Sequence, residues 1–245
     1  MRTARAKGGA DMGGLALRLE ALDAVAAPSV VMASVLGGAA GERAAAYAHE
    51  QDRAGFLAGR AALLLFAARL LDVEPARLAP RYDCPQCGPA AGHGRPAFLL
   101  DGGPAPLLLS ASRAAGRVLL AGVAHPEPGL ALGVDLEDSG RLAGFGDDNA
   151  AGSGAAGFDA VALGGREQRW VQGLPERDRN RGRARLWARK EAWLKRSGEG
   201  LRRDPATVDV LDLPGLADLA LDGTEPGLGL AAPVPGNLVA AVALC

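Results

Sequence analysis

The run Trp187-Ala188-Arg189-Lys190-Glu191-Ala192-Trp193-Leu194-Lys195-Arg196-Ser197-Gly198-Glu199-Gly200-Leu201 fixes the end of a long helix, and with it much of what this chain can fold into. Arg181 to Ser197 are mostly helix formers, and Gly198 and Gly200 supply the left-handed backbone that closes a helix. Glu191 and Lys195, four apart, share one helix face. Upstream, Gly133-Val134-Asp135-Leu136-Glu137 alternates apolar with acidic residues at the period of a strand. That pattern predicts Val134 and Leu136 pointing inward and both carboxylates outward on one side. Two like charges so close repel unless a cation lies between them. Asp135, Glu137, Glu191 and Lys195 together offer three carboxylates and a lysine, a set suited to a hard metal ion beside a phosphate. The plainer readings are a Glu–Lys helix pair, worth about 0.2–0.5 kcal/mol, and a solvated edge strand.

At 245 residues the chain is long enough for one large domain or two modest ones. Aromatics are only 4% of it, so the core is expected to consist mainly of Leu, Val and Ala. The formal net charge of −1 argues against a globally basic nucleic-acid binder. Arg166 to Asp204, with thirteen basic and six acidic residues, is nonetheless a basic strip that suggests a confined anionic partner. No apolar run approaches the roughly 20 residues of a membrane span, and the basic, Gly-rich opening is not expected to be a secretory signal. Three cysteines do not make a disulfide framework. The protein is therefore expected to be cytoplasmic, with no membrane partner. Met12 is an alternative start.

Along the chain, Val30–Leu36 looks like a strand, and residues 42–71 form a helical region with a break near Gly55. Its second half is apolar almost all round and should be buried, leaving Arg60 in need of a partner. Residues 107–112, 117–124 and 130–137 are three strand candidates, expected in one antiparallel sheet. Ser139 to Gly165, rich in Gly, Ala and Asp, reads as a loop. Gln168–Gly173 and Arg181–Ser197 read as helices, and Asn237–Leu244 as a strand. The order strand, helix, strands occurs twice, although no repeat is visible at the residue level.

Cys84-Pro85-Gln86-Cys87 is a single Cys-x-x-Cys knuckle. His93 and one of His49, His125 or Cys245 complete a four-ligand zinc set on paper. Without a second paired motif, reduced thiols are the default.

Taken in order, the motifs resemble those of the Sfp-type 4'-phosphopantetheinyl transferases. Residues 187–201 fit the pattern Trp-x-x-Lys-Glu-Ala-x-x-Lys-x-x-Gly-x-Gly-Leu, and Gly133–Glu137 fits Gly-Val-Asp-Leu-Glu. Gly94-Arg95-Pro96 is similar to the family's Gly-Lys/Arg-Pro turn, and Phe56–Leu65 to its Phe-Leu-x-Gly-Arg helix. The resemblance implies an α+β fold of two pseudo-symmetric halves, residues 1–128 and 129–245. Each half would be a small, mostly antiparallel sheet with a packed long helix, and the active site would lie in the cleft between them. It implies a magnesium-dependent transfer of the phosphopantetheine arm of coenzyme A to a serine of an apo acyl, polyketide or peptidyl carrier protein, as in holo-acyl-carrier-protein synthases. Asp135, Glu137 and Glu191 would hold the metal. Asp135, Glu191 and Lys195 would be the catalytic groups, with Lys195 on the diphosphate and Glu191 near the serine proton. Arg95 would lie toward the adenine and 3'-phosphate, and Arg53, Arg60, Ser110, Ser112 and Arg113 are further candidates for coenzyme A.

One departure stands out. The family strand reads Asn-Leu-Ser-His-Ser, its histidine meeting the 3'-phosphate, whereas Leu108-Leu109-Ser110-Ala111-Ser112 stands here. A lost charge-assisted contact costs about 1.5–3 kcal/mol, with Arg113 the candidate replacement. Two alternatives follow: a degenerate binder of coenzyme A or carrier, and a nucleic-acid binder using residues 166–204. The basic strip is also placed to meet an acidic carrier helix. Size and the lack of duplicated interface motifs point to a monomer.

Overall fold

In the computed structural model, residues 14–25, 38–83, 94–143, 154–198, 200–225, 228–230 and 233–245 are described. The proposed strand 30–36 and the Cys84–His93 knuckle lie outside them, as do residues 144–153 of the proposed loop. The strands are β1 (Ala16–Ala21), β2 (Leu78–Asp83), β3 (Arg95–Leu100), β4 (Gly103–Pro104), β5 (Leu107–Ala114), β6 (Arg117–Ala124), β7 (Leu132–Asp138), β8 (Leu216–Leu219), β9 (Leu228–Leu230) and β10 (Leu238–Leu244). The helices are α1 (Gly38–Ala45), α2 (Glu50–Leu71), α3 (Ser139–Ala143), α4 (Ala155–Ala162), α5 (Gly165–Gln172) and α6 (Glu176–Ser197).

Strand periodicity dictates the layering. In β6, Val118 and Leu120 face α2, while Leu119, Ala121 and Val123 face the other way. In β10, Val239, Ala241 and Ala243 face α6, while Leu238, Ala240 and Val242 join Leu119 and Ala121 in the same central cluster. Two sheets, β5-β6-β1-β9 and β7-β10-β8, thus share a central apolar core, and each carries a 22-residue helix on its outer face. A third sheet, β2-β3-β4, flanks the first half. Pairing is antiparallel except between β1 and β9, where the C-terminal part of the chain adds a parallel strand to the N-terminal sheet. The fold is the α+β class expected. Its core is mostly Leu, Val and Ala, with Phe56, Phe66, Phe98 and Tyr82 the buried aromatics.

Four expectations need correction. The first helical region breaks at residues 46–49, and α2 runs through Gly55 without interruption. The three strand candidates do not share a sheet: β5 and β6 pair, but β7 pairs with β10. The turn between β6 and β7 hides this in the sequence, because it resembles a hairpin turn while carrying the chain across to the other half. Helices α3 and α4 occupy the two ends of the proposed loop. Finally, α2 is long and apolar enough to cross a membrane by length and composition. Here that apolar surface is packed, with Ala61, Leu64 and Phe66 buried in the core under α2.

Candidate active site

The site forms where the edges of the two main sheets meet. Gly133 makes the junction tight. A Cβ there would stand 2.0 Å from the Ala192 carbonyl oxygen and 2.7 Å from the Arg196 nitrogen, so β7 and α6 touch backbone to backbone. Leu132, Val134 and Leu136 point into the central core, which turns Asp135 to the opposite face, toward α6. There Lys195 Nζ donates to Asp135 Oδ1 at 2.5 Å and to the Val134 carbonyl at 3.3 Å. From β5, Ser112 Oγ donates to the same Asp135 oxygen at 2.7 Å, and Ser110 Oγ accepts from the Val134 amide at 3.0 Å. The two serines therefore stitch β5 to β7.

Asp135 is 3% exposed, not outward-facing as the alternation predicted, because α6 covers the strand face that the pattern left open. Its Oδ2 is buried and accepts no hydrogen bond. Glu137 and Glu191 crowd the same carboxylate. Burial first, then the Asp135 charge, pushes Glu137 up to about 7, with Lys195 opposing. Burial likewise raises Glu191, against the pull of Lys195. Three carboxylates with one ammonium among them are an electrostatically frustrated group.

The resemblance implies a divalent cation, and the donor set fits one in kind: hard oxygens, an orphaned buried Asp135 Oδ2, and excess negative charge. Among the described residues, however, no three His, Cys, Asp or Glu side chains are placed to share an ion. The acidic groups gather around Asp135, and not around one common point.

Next to this cluster lies a basic cavity of about 720 Å³. Ser112 and Lys195 line it, along with Arg43, Arg60, Arg113, Arg117 and Arg141. The Phe56 ring organises three of the arginines, with guanidinium carbons 4.9 Å (Arg60), 5.6 Å (Arg113) and 5.9 Å (Arg43) from its centroid. Arg60 also lies 3.5 Å over Tyr82. Burial, then Arg43 and Arg113, lower Arg60 to about 10, so it stays charged at neutral pH. Gly59 makes this possible, since a Cβ there would stand 2.9 Å from Arg113 Cδ. A second cavity of about 520 Å³, lined mainly by apolar groups such as Leu109 and Leu132, shares Gly94, Pro96, Ala111 and Lys195 with the first.

Of the residues singled out by sequence, Asp135, Glu137, Glu191, Lys195 and Ser112 are brought together, and Arg60 and Arg113 face the basic cavity. Ser110 lines only the second cavity and is engaged by the Val134 amide. Arg53 lines neither cavity and pairs with Glu50 on the surface at 3.4 Å. Arg95 lines the second cavity, not the first, and donates to the end of α6. Arg43, Arg117 and Arg141 were missed because each sits in a segment with no motif around it. The basic strip is also less open than its composition implied. Arg166 pairs with Asp209 and Asp212, Arg183 with Asp159, and Arg185 and Arg189 with Asp218. Lys190 is fully buried against Glu167 at 2.7 Å.

Residues 131–221 match the model of the 4'-phosphopantetheinyl transferase superfamily. This segment runs from just before β7 to just beyond β8 and holds Asp135, Glu137, Glu191 and Lys195. Over that segment the match agrees with the resemblance read from the motifs. Comparison with curated proteins finds no significant match.

Proposed function

We propose that the chain transfers the 4'-phosphopantetheine arm of coenzyme A to a serine of an apo carrier protein, at the cleft between the two halves. The observation that carries this reading is the shared wall of Ser112 and Lys195. Both line the arginine-rich cavity and both bond Asp135 Oδ1. A nucleotide with phosphates at its 3' and 5' ends suits a cavity with five arginines, and its diphosphate then falls beside Lys195.

Asp135, Glu137 and Glu191 would hold magnesium once their side chains converge from the positions in which no three of them share an ion. When bound, magnesium supplies charge neutralisation on the diphosphate and its leaving group. Lys195 Nζ adds positive charge at the same place, fixed there by Asp135. Glu191, made a stronger base by burial, is the candidate to accept, in its ionised form, the proton the serine hydroxyl loses as its oxygen bonds the β-phosphorus and 3',5'-adenosine bisphosphate leaves. The ion pairs that neutralise much of the 166–204 strip weigh against the nucleic-acid reading. The test is incubation with coenzyme A, magnesium and a panel of apo acyl, polyketide and peptidyl carriers. A carrier gaining the mass of the arm supports the reading, and no gain on any carrier rejects it.

A further inference from the structure

We infer that Arg141 is a diphosphate contact of the basic cavity, a cation that the C-terminal half keeps uncommitted until a ligand arrives. This rests on the function just proposed. Six cationic side chains and one carboxylate, Asp52, line that cavity. Five of the six are already engaged by the protein. Arg43, Arg60 and Arg113 gather on the Phe56 ring. Arg117 Nη2 donates to the Pro233 carbonyl at 3.0 Å, and Lys195 Nζ donates to Asp135 and Val134. Arg141 is the exception: among the described residues it has no hydrogen bond, ion pair or ring contact. A free guanidinium offers two parallel N–H donors to one phosphate.

A lone arginine on a surface is ordinary, but the backbone that carries this one is anchored. Helix α3 follows β7 directly. Asp138 Oδ1 accepts from the Gly140 amide at 2.8 Å and from Asn237 Nδ2. Ser139 donates its amide and its Oγ to the Asn237 carbonyl, at 3.0 and 2.8 Å. The short helix also packs against α6. Arg141 is thus presented to the cavity from a fixed turn, which lowers the ordering cost of gripping a ligand. Its place in the molecule says which part of the ligand it meets. Only Arg141 and Lys195 reach the cavity from the C-terminal half, and the other four cations belong to the N-terminal half. The charges that crowd Arg60 are Arg43 and Arg113, so Arg141 stands apart from that group. Two separate groups of cations suit a ligand with two phosphate centres. Lys195 lies on the diphosphate in the proposed reaction, and Arg141 joins it there.

The experiment measures, by calorimetry with magnesium present, the Kd of the full-length wild type, Arg141→Gln and Arg141→Lys for two ligands. One is coenzyme A. The other is dephospho-coenzyme A, which keeps the diphosphate and lacks the 3'-phosphate. The same proteins are assayed for transfer to apo carriers. Arg141→Gln should weaken both ligands by the same factor, about tenfold or more, the size of a charge-assisted bond. Arg141→Lys should recover part of the loss, because it keeps the charge without the fork. A loss for coenzyme A alone would place Arg141 on the 3'-phosphate and overturn the assignment. Unchanged affinity for both ligands would overturn it as well, and a raised KM for the carrier beside it would make Arg141 a carrier contact. If the wild type binds coenzyme A and transfers to no carrier, the functional reading fails by itself, and the two affinities still decide Arg141. A wild type that binds neither ligand rejects both. Arg141 is exposed, so the variants are expected to fold, and Arg141→Lys carries the test if Arg141→Gln does not.

Discussion

Asp135 concentrates the tension in this molecule. A buried carboxylate with one oxygen bonded by both Lys195 and Ser112 and the other left without a donor is costly unless something further binds it. Glu137 feels that cost directly. Its folded value of about 7 lies above its ordinary 4.5, so the protonated form is favoured by folding. The stability this contributes is complete below about 4.5 and is lost as pH rises through 7. A divalent cation must displace that proton, so magnesium affinity should rise between pH 6 and 8. Glu137→Gln should flatten the rise. Calorimetric titration at the two pH values checks it, and equal affinity in the wild type would contradict the account. Ala111, shared by both cavities, gives a second residue-scale prediction. Ala111→His should tighten coenzyme A roughly tenfold or more by adding a charge-assisted phosphate contact. Unchanged affinity would mean that the 3'-phosphate lies elsewhere.

Among the elements, α6 matters most, and its place is set by absences and by one buried pair. Gly133→Ala puts a methyl into the Ala192 carbonyl. It should cost about 2–4 kcal/mol and shift the thermal midpoint, because backbone must move. Lys190 and Glu167 form a second anchor. Lys190 donates to the Pro205 and Val208 carbonyls, while Glu167 accepts from the Gly164 and Val210 amides. Lys190→Met leaves Glu167 buried without its counter-charge and should cost about 3–5 kcal/mol in denaturant unfolding. A loss below 1 kcal/mol would show the pair to be dispensable. The long helix and its glycine stop were legible from the residues, because propensity and capping act locally. The burial of Asp135 was not, since strand alternation gives a face but not what covers it. The burial of Lys190 leaves no local sequence signal for the same reason: its partners lie 23 residues upstream and 15 to 18 downstream.

Over the whole molecule, the two 22-residue helices sit outside two sheets that share one core, and the site opens at the β5–β7 seam between them. The motifs carried the acidic cluster and the fold class. They did not carry the basic cavity, whose arginines come from α1, α2, the β5–β6 hairpin and α3 and converge only in the folded chain. Nor did they show that most of the basic strip binds its own protein. On the proposed function, this cavity delivers a diphosphate to Asp135 and Lys195. The most direct test is the intact mass of an apo carrier after incubation with coenzyme A, magnesium and either the wild type or Asp135→Asn. Complete addition of the arm is expected with the wild type, and a rate lower by more than about a hundredfold with a folded Asp135→Asn. Equal transfer by the two proteins would contradict it.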